Sequence, residues 1–141
     1  MLPELNENGD LPPGVHVAGW KEIEQRFGTG AKARTRAFAT LRRLARRTGS
    51  LRSLYVFGSF VSSAPEPRDV DVMLVMASDF KVEDCTWESR PLFSHSRAQA
   101  RYGASVFWLR QGMLPDATMR ELLAGCQTKR GATLRGILEV E

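Results

Sequence analysis

The stretch that decides the fold runs from residue 57 to residue 72 and reads FGSFVSSAPEPRDVDV. An apolar strand is predicted to end at Phe57, where a Gly-Ser pair turns the chain sharply, because glycine adopts backbone conformations closed to other residues. Two prolines then stiffen a loop that leads back to the sheet at Asp69. A second strand is predicted next, since valines and other apolar residues fill most of positions 70–76. The stretch therefore predicts two strands joined by a tight turn and a stiff loop.

Asp69 and Asp71 stand two residues apart at the start of the second strand. Side chains at this spacing point to the same face of a strand, so we expect two carboxylates side by side, with the valine between them facing the core. Neighbouring carboxylates repel each other unless a cation lies between them, and their oxygens suit Mg²⁺. The turn at Gly58 and Ser59 offers backbone amides and a hydroxyl to an anion such as a triphosphate. The pattern favours a site for a nucleotide and its metal ion.

Outside this stretch, helical and strand patterns alternate along the chain. Strands are predicted at residues 51–57, 70–76, 104–109 and 136–140, and helices at 20–27, 31–48, 90–102 and 115–125. In the last two helices the residues predicted to face inward are Leu92, Phe93, Ser96, Ala100, Met119, Leu122 and Leu123. The alternation predicts an α/β (α+β) fold, a small mixed sheet flanked by helices. We expect one domain over residues 1–141, with the proline-containing residues 1–18 as an extended N-terminal arm.

Composition narrows the class of protein. The 141 residues are 43% hydrophobic and 26% charged, with a net charge of +4, which is typical of a globular domain. No apolar run approaches the ~20 residues of a membrane helix, and the first residues lack the basic and apolar regions of a secretory signal. The two cysteines, Cys85 and Cys126, allow at most a single bridge and no disulfide framework. We expect a cytoplasmic protein that does not enter a membrane.

The positive charge is concentrated in one segment. Residues 26–52 contain nine basic residues and no acidic one, and most of this segment forms the predicted amphipathic helix 31–48. Two interpretations stay open: a solvated basic face that aids solubility, or a phosphate-binding surface for a nucleotide or an RNA.

The motif at residues 57–72 resembles the signature of the nucleotidyltransferase superfamily, in particular its polymerase-beta-like and minimal members. That signature is a hydrophobic residue followed by Gly-Ser, a spacer, and then Asp-hydrophobic-Asp-hydrophobic; here the spacer is the nine residues 60–68. The likeness is clear over residues 51–76, and both ends of the chain are similar to those of small bacterial nucleotidyltransferase-like proteins. The resemblance implies a nucleotidyltransferase-like fold that uses Mg²⁺ and an NTP. Asp69 and Asp71 would then be catalytic metal ligands, and Gly58 and Ser59 would bind the phosphates.

Two residue assignments remain open beside this resemblance. Arg68 precedes Asp69 and would either reach a phosphate of the nucleotide or cap its own loop. Active members of the superfamily usually carry a third carboxylate on a later strand, but the predicted strand 104–109 has none and offers Ser105 instead. Asp116 and Glu139 are the other carboxylates considered for that role.

Two functions follow from these residues and this resemblance. The first is a Mg²⁺-dependent nucleotidyltransferase that moves a nucleoside monophosphate from an NTP to a hydroxyl of a protein, an RNA or a small molecule. The second is a catalytically degenerate nucleotidyltransferase fold that binds a protein partner, as in toxin–antitoxin or phage-defence pairs. A third carboxylate near Asp69 would favour the enzyme.

Overall fold

A five-stranded sheet with the strand order β1-β7-β2-β3-β4 forms the centre of the protein. The strands are β1 (Val15–Ala18), β2 (Leu51–Phe57), β3 (Val70–Met76), β4 (Ala104–Arg110), β5 (Thr128–Lys129), β6 (Thr133–Leu134) and β7 (Ile137–Val140). Strand β1 is parallel to β7 and β3 is parallel to β4, whereas β2 is antiparallel to both of its neighbours. Strands β5 and β6 form a separate two-stranded ladder. This computed structural model describes residues 2–28, 32–64, 69–129 and 133–141.

Four α-helices accompany the sheet. They are α1 (Trp20–Phe27), α2 (Lys32–Arg47), α3 (His95–Tyr102) and α4 (Asp116–Cys126), and short 3-10 turns lie at Gly58–Val61, Val82–Asp84 and Arg90–Phe93. Among the described residues, no helix combines the length and apolar character that crossing a bilayer requires.

The main core lies between one face of the sheet and the helices α1, α2 and α3. Helix α2 buries Phe38, Leu41 and Leu44, which recur at helical spacing, against alternate residues of β2 and β3 such as Val56 and Val72. The opposite face carries the other alternate residues of these strands and is covered in part by α4. No residue of α4 is buried, so this second face is incompletely covered.

The mixed α/β class predicted from the alternation of patterns is confirmed, and the strands of residues 51–57 and 70–76 lie where the sequence places them. The basic helix spans residues 32–47, while residue 31 lies outside the described residues. In the N-terminal arm, strand β1 was not predicted. It forms because Val15 to Ala18 pair with β7, a partner from the far end of the sequence.

Two predictions about buried residues were wrong. Residues 90–102 do not form one helix: a 3-10 turn ends at Phe93 and α3 begins at His95, so Ala98 is buried while Ser96 and Ala100 are exposed. In α4, Leu122 is 38% exposed and neither Met119 nor Leu123 is buried. The helix has an apolar stripe, but no further layer of the described structure covers it.

Candidate active site

Two aspartates and one serine meet where β3 and β4 begin. The parallel register of these strands sets Asp71 opposite Ser105. Asp69 lies just before β3, and its Oδ2 accepts a hydrogen bond from Ser105 Oγ at 3.4 Å and a longer one from Gln99 Nε2 at 3.5 Å. Ser105 also lies near enough to Asp71 to lower the pKa of that carboxyl. The structure thus brings both predicted carboxylates together around one hydroxyl.

The Gly-Ser turn packs directly against Asp71. Strand β2 ends at Phe57, whose register partner is Asp71, and Gly58 opens the 3-10 turn with φ of +79°. A Cβ added to Gly58 would collide with Oδ2 of Asp71 and lie 3.1 Å from its Cγ. Glycine is required here for two reasons, since other residues are strained at this φ and have no room for a side chain. The group that approaches Gly58 in the protein is therefore the carboxylate itself.

Ser59 lies next to this contact and is half-buried. Its carbonyl oxygen accepts a hydrogen bond from Ser62 Oγ at 2.6 Å, which fixes the turn. Within the described part of the chain the Ser59 hydroxyl has no hydrogen-bond partner. It is therefore available to donate to a ligand oxygen beside Asp71.

The environment of Asp71 disfavours its charged form. Burial raises the pKa of this carboxyl most, and the negative charge of Asp69 raises it further. A hydrogen bond from Ser105 and the positive charge of Arg135 act in the opposite direction and lower the pKa, but the net shift is upward. A half-buried pair of like charges is an arrangement that a bound cation would relieve.

Replacing Asp71 by asparagine is expected to stabilise the protein at pH 7 by roughly 0.2–1 kcal/mol, the range for neighbouring charges on strands. Because the folded pKa is raised, the stability that protonation of Asp71 provides is present below its ordinary pKa near 3.8 and is lost as pH rises through the higher folded value. The advantage of Asp71→Asn should therefore be largest at neutral pH and shrink as pH falls towards 4. Urea unfolding at several pH values measures it; a variant that is less stable than the wild type at pH 7 contradicts the expectation.

A buried ion-pair cluster adjoins the site from the N-terminal arm. Asp10, whose side chain is only 3% exposed, pairs with Lys129 Nζ at 2.7 Å and with Arg135 Nη1 at 3.7 Å. The Nε of Arg135 is buried and has no hydrogen-bond partner among the described residues. Because the charge of Arg135 also lowers the pKa of Asp71, this arginine connects the cluster electrostatically to the aspartate pair.

Sequence reasoning missed Asp10 and Arg135. They lie far apart in the chain, in segments without a recognised motif, and nothing local marks them as partners. The arm that carries Asp10 also packs against the segment after the Gly-Ser turn. Ser63 N donates a hydrogen bond to Gly9 O at 2.8 Å, and Asp10 and Ser62 form an antiparallel β-bridge through their backbones. The N-terminal arm is therefore part of the structural support of the site.

An apolar groove lies on the open face of the sheet, beside strand β3. It has a volume of about 520 Å³ and lies between α4 and strands β2, β3 and β4. Its walls include Phe57, Met73, Phe107, Leu122 and Cys126. Cys126 carries a free thiol, and burial followed by the charge of Asp71 raises its pKa. Because the lining residue Phe57 is the register partner of Asp71, the groove begins next to the aspartate pair.

The remaining predicted residues do not complete the site. Arg68 lies outside the described residues. Asp116 is exposed at the start of α4. Glu139 lies on β7, opposite Tyr55 of β2. It is two strands across and two residues along the sheet from Asp71, which corresponds to roughly 12 Å between Cα atoms. Ser105 occupies the position on β4 opposite Asp71, where a third carboxylate was sought.

The donor set at the site is compatible with Mg²⁺. Within the described residues, no group of three or more His, Cys, Asp and Glu side chains lies close enough together to hold a metal ion. Mg²⁺, however, commonly binds through one or two carboxylates and completes its shell with waters and substrate phosphates. Asp69 and Asp71 supply two such carboxylates, which lie close together at the start of β3.

Fold and site together define a mixed α/β domain with paired aspartates beside a Gly-Ser turn. The sequence profile of the DUF6932 family, described as a family of unknown function, matches residues 3–141. The chain therefore belongs to this family. No curated protein and no solved structure matches it.

Proposed function

We propose that this protein is a Mg²⁺-dependent nucleotidyltransferase that transfers a nucleoside monophosphate from an NTP to a hydroxyl of a protein, an RNA or a small molecule. The observation that carries the proposal is the pair Asp69 and Asp71, held together on one face although burial and mutual repulsion raise the pKa of Asp71. An electrostatically unfavourable pair of carboxylates is typical of a functional site, where the negative charge serves binding or catalysis.

The residues around the pair support a phosphate ligand in particular. Ser59 offers a hydroxyl without a partner in the described part of the chain, and the missing side chain of Gly58 lets the Asp71 carboxylate lie next to it. Arg135 contributes positive charge on the same side, which favours a polyanion next to the carboxylates. The groove walled by Phe57 and Phe107 suits the flat apolar ring of a nucleobase.

In the proposed transfer, the acceptor oxygen forms a bond to the α-phosphorus while the bond from that phosphorus to the oxygen bridging to the β-phosphate breaks. Pyrophosphate leaves, and the proton of the acceptor hydroxyl passes to solvent water. When bound, Mg²⁺ would neutralise part of the triphosphate charge. Asp69 and Asp71 would hold the ion, while Ser59 would orient a phosphate oxygen.

The test is transfer of label from an α-³²P NTP to an acceptor in the presence of Mg²⁺. The variant Asp69→Ala/Asp71→Ala is expected to lose at least about 100-fold in rate, because charge stabilisation by a metal ion contributes several kcal/mol. Asp79→Ala is the matched control, since Asp79 is an exposed carboxylate beyond the other end of β3. Unchanged transfer in the double variant would contradict the assignment of these aspartates.

A second candidate function is favoured by Ser105. A serine in the position sought for a third carboxylate has no negative charge to accept the proton of the acceptor hydroxyl. Beside it, Phe107 is 50% and Leu122 is 38% exposed, which gives the open face an apolar surface. We propose as the alternative a catalytically degenerate fold that binds a protein partner, in a toxin–antitoxin or phage-defence pair. The absence of Mg²⁺-dependent NTP binding and of label transfer in the wild type would support it.

A further inference from the structure

Three arginines line one pocket at the end of the sheet opposite the aspartate pair. The pocket has a volume of about 270 Å³, and Arg42, Arg46 and Arg52 form its basic wall around Gly49 and the start of β2. Because β2 runs from Leu51 here to Phe57 beside Asp71, the two sites are separated by the length of the strand, about 20 Å. The pocket is therefore distinct from the candidate active site.

The charges of this wall are not compensated within the protein. Among the described residues, none of these three arginines forms an ion pair or a hydrogen bond, and the guanidinium of Arg42 lies over the ring of Trp20, 5.7 Å from its centroid. Arg42 and Arg46 lie four residues apart on α2, the spacing at which like charges repel each other. Burial and then the charge of Arg46 lower the pKa of Arg42.

One acidic residue, Glu141, also lines the pocket, but it forms no ion pair with the arginines. Neighbouring solvated arginines on a convex helix face would simply separate into solvent. Here three of them line one concave space, which places their positive charges around a volume that a small anion can enter. Guanidinium groups bind phosphoryl oxygens through paired, charge-assisted hydrogen bonds.

We propose that the pocket formed by Arg42, Arg46 and Arg52 binds a phosphoryl anion, either a free phosphate compound or one phosphate of an RNA strand. This assigns part of the basic helix α2 a specific ligand site rather than a general solubilising role. The site does not depend on the aspartate pair or on Mg²⁺.

Isothermal titration without Mg²⁺ and with EDTA tests the proposal independently of nucleotidyl transfer. The wild type is titrated with pyrophosphate and, separately, with a single-stranded RNA of ten nucleotides, at one fixed ionic strength. The variant Arg46→Gln/Arg52→Gln is expected to weaken binding at least tenfold, because two of three guanidinium groups are lost. Glu141→Gln should strengthen binding. Arg42 is left in place because it packs on Trp20.

The matched control is Arg43→Gln, which removes an exposed arginine of the same helix outside the pocket and should leave binding unchanged. Binding of pyrophosphate alone identifies a free phosphate ligand, and binding of the RNA with much higher affinity identifies a strand. If Arg43→Gln weakens binding as much as the double variant, the attraction is diffuse and the proposal is overturned. It is also overturned if the wild type binds neither compound.

Discussion

Replacing Gly58 by alanine is expected to lower the free energy of unfolding by about 3 kcal/mol. Alanine is strained at the φ of +79° that this turn requires, and its methyl group would collide with the Asp71 carboxylate. Relief of the collision would displace Asp71 from Ser105 and Asp69, so the site should be disturbed as well as the stability. Urea unfolding monitored by tryptophan fluorescence measures the first effect, and Mg²⁺-dependent nucleotide binding measures the second.

The chain provides a control that separates strain from collision. Gly49 has a similar φ of +73°, but a Cβ there would meet nothing within 4 Å. Gly49→Ala should therefore show the conformational strain alone, about 1–2 kcal/mol. Adding Asp71→Ala to Gly58→Ala should recover the part that comes from the collision. Equal losses for the two glycine variants would show that the contact with Asp71 contributes nothing.

Replacing Asp10 by asparagine is expected to lower the free energy of unfolding by about 2 kcal/mol. The side chains are similar in size, but the variant leaves the partly buried cations Lys129 and Arg135 without their negative partner. Removing one member of a buried ion pair is strongly destabilising because the remaining charges stay desolvated. Thermal unfolding at pH 7 measures the loss, and a change of this size would lower the melting temperature by more than about 5 °C.

Two further variants test the cause. Asp79→Asn removes an exposed carboxylate with no ion pair in the described structure and should change stability by less than about 0.5 kcal/mol. Lys129→Met, added to Asp10→Asn, removes one of the cations that lost its partner and should restore part of the free energy of unfolding. If Lys129→Met destabilises the Asp10→Asn variant as much as it destabilises the wild type, the two residues are not coupled.

The parts of this fold that follow from the sequence are those with local signals. Strand β3 is almost continuously apolar, and the Asp-Val-Asp spacing alone predicts that Asp69 and Asp71 share a face. The Gly-Ser turn follows from the need for a positive φ. These features depend on neighbours within a few residues, so periodicity and backbone preferences are sufficient to find them.

The parts that the sequence does not predict depend on partners distant in the chain. Lys129 and Asp10 are 119 residues apart, and no pattern within either segment relates them. Ser94 divides two helical segments and changes the phase of the second, so that Ala98 rather than Ala100 turns inward. Leu122 is exposed because no layer of the described structure covers this face of α4. The apolar stripe of the helix does not by itself show whether such a layer exists.

The pairing of β1 with β7 also has a consequence for the newly made chain. Val15 emerges from the ribosome early, yet its register partner is Ile137. Until β7 is synthesised, β2 has an unpaired edge, and Asp10 lacks the cations that accompany its burial. Nascent chains that stop before residue 137 therefore expose a strand edge open to aggregation. The paired aspartates acquire their full electrostatic surroundings only after Arg135 has been synthesised.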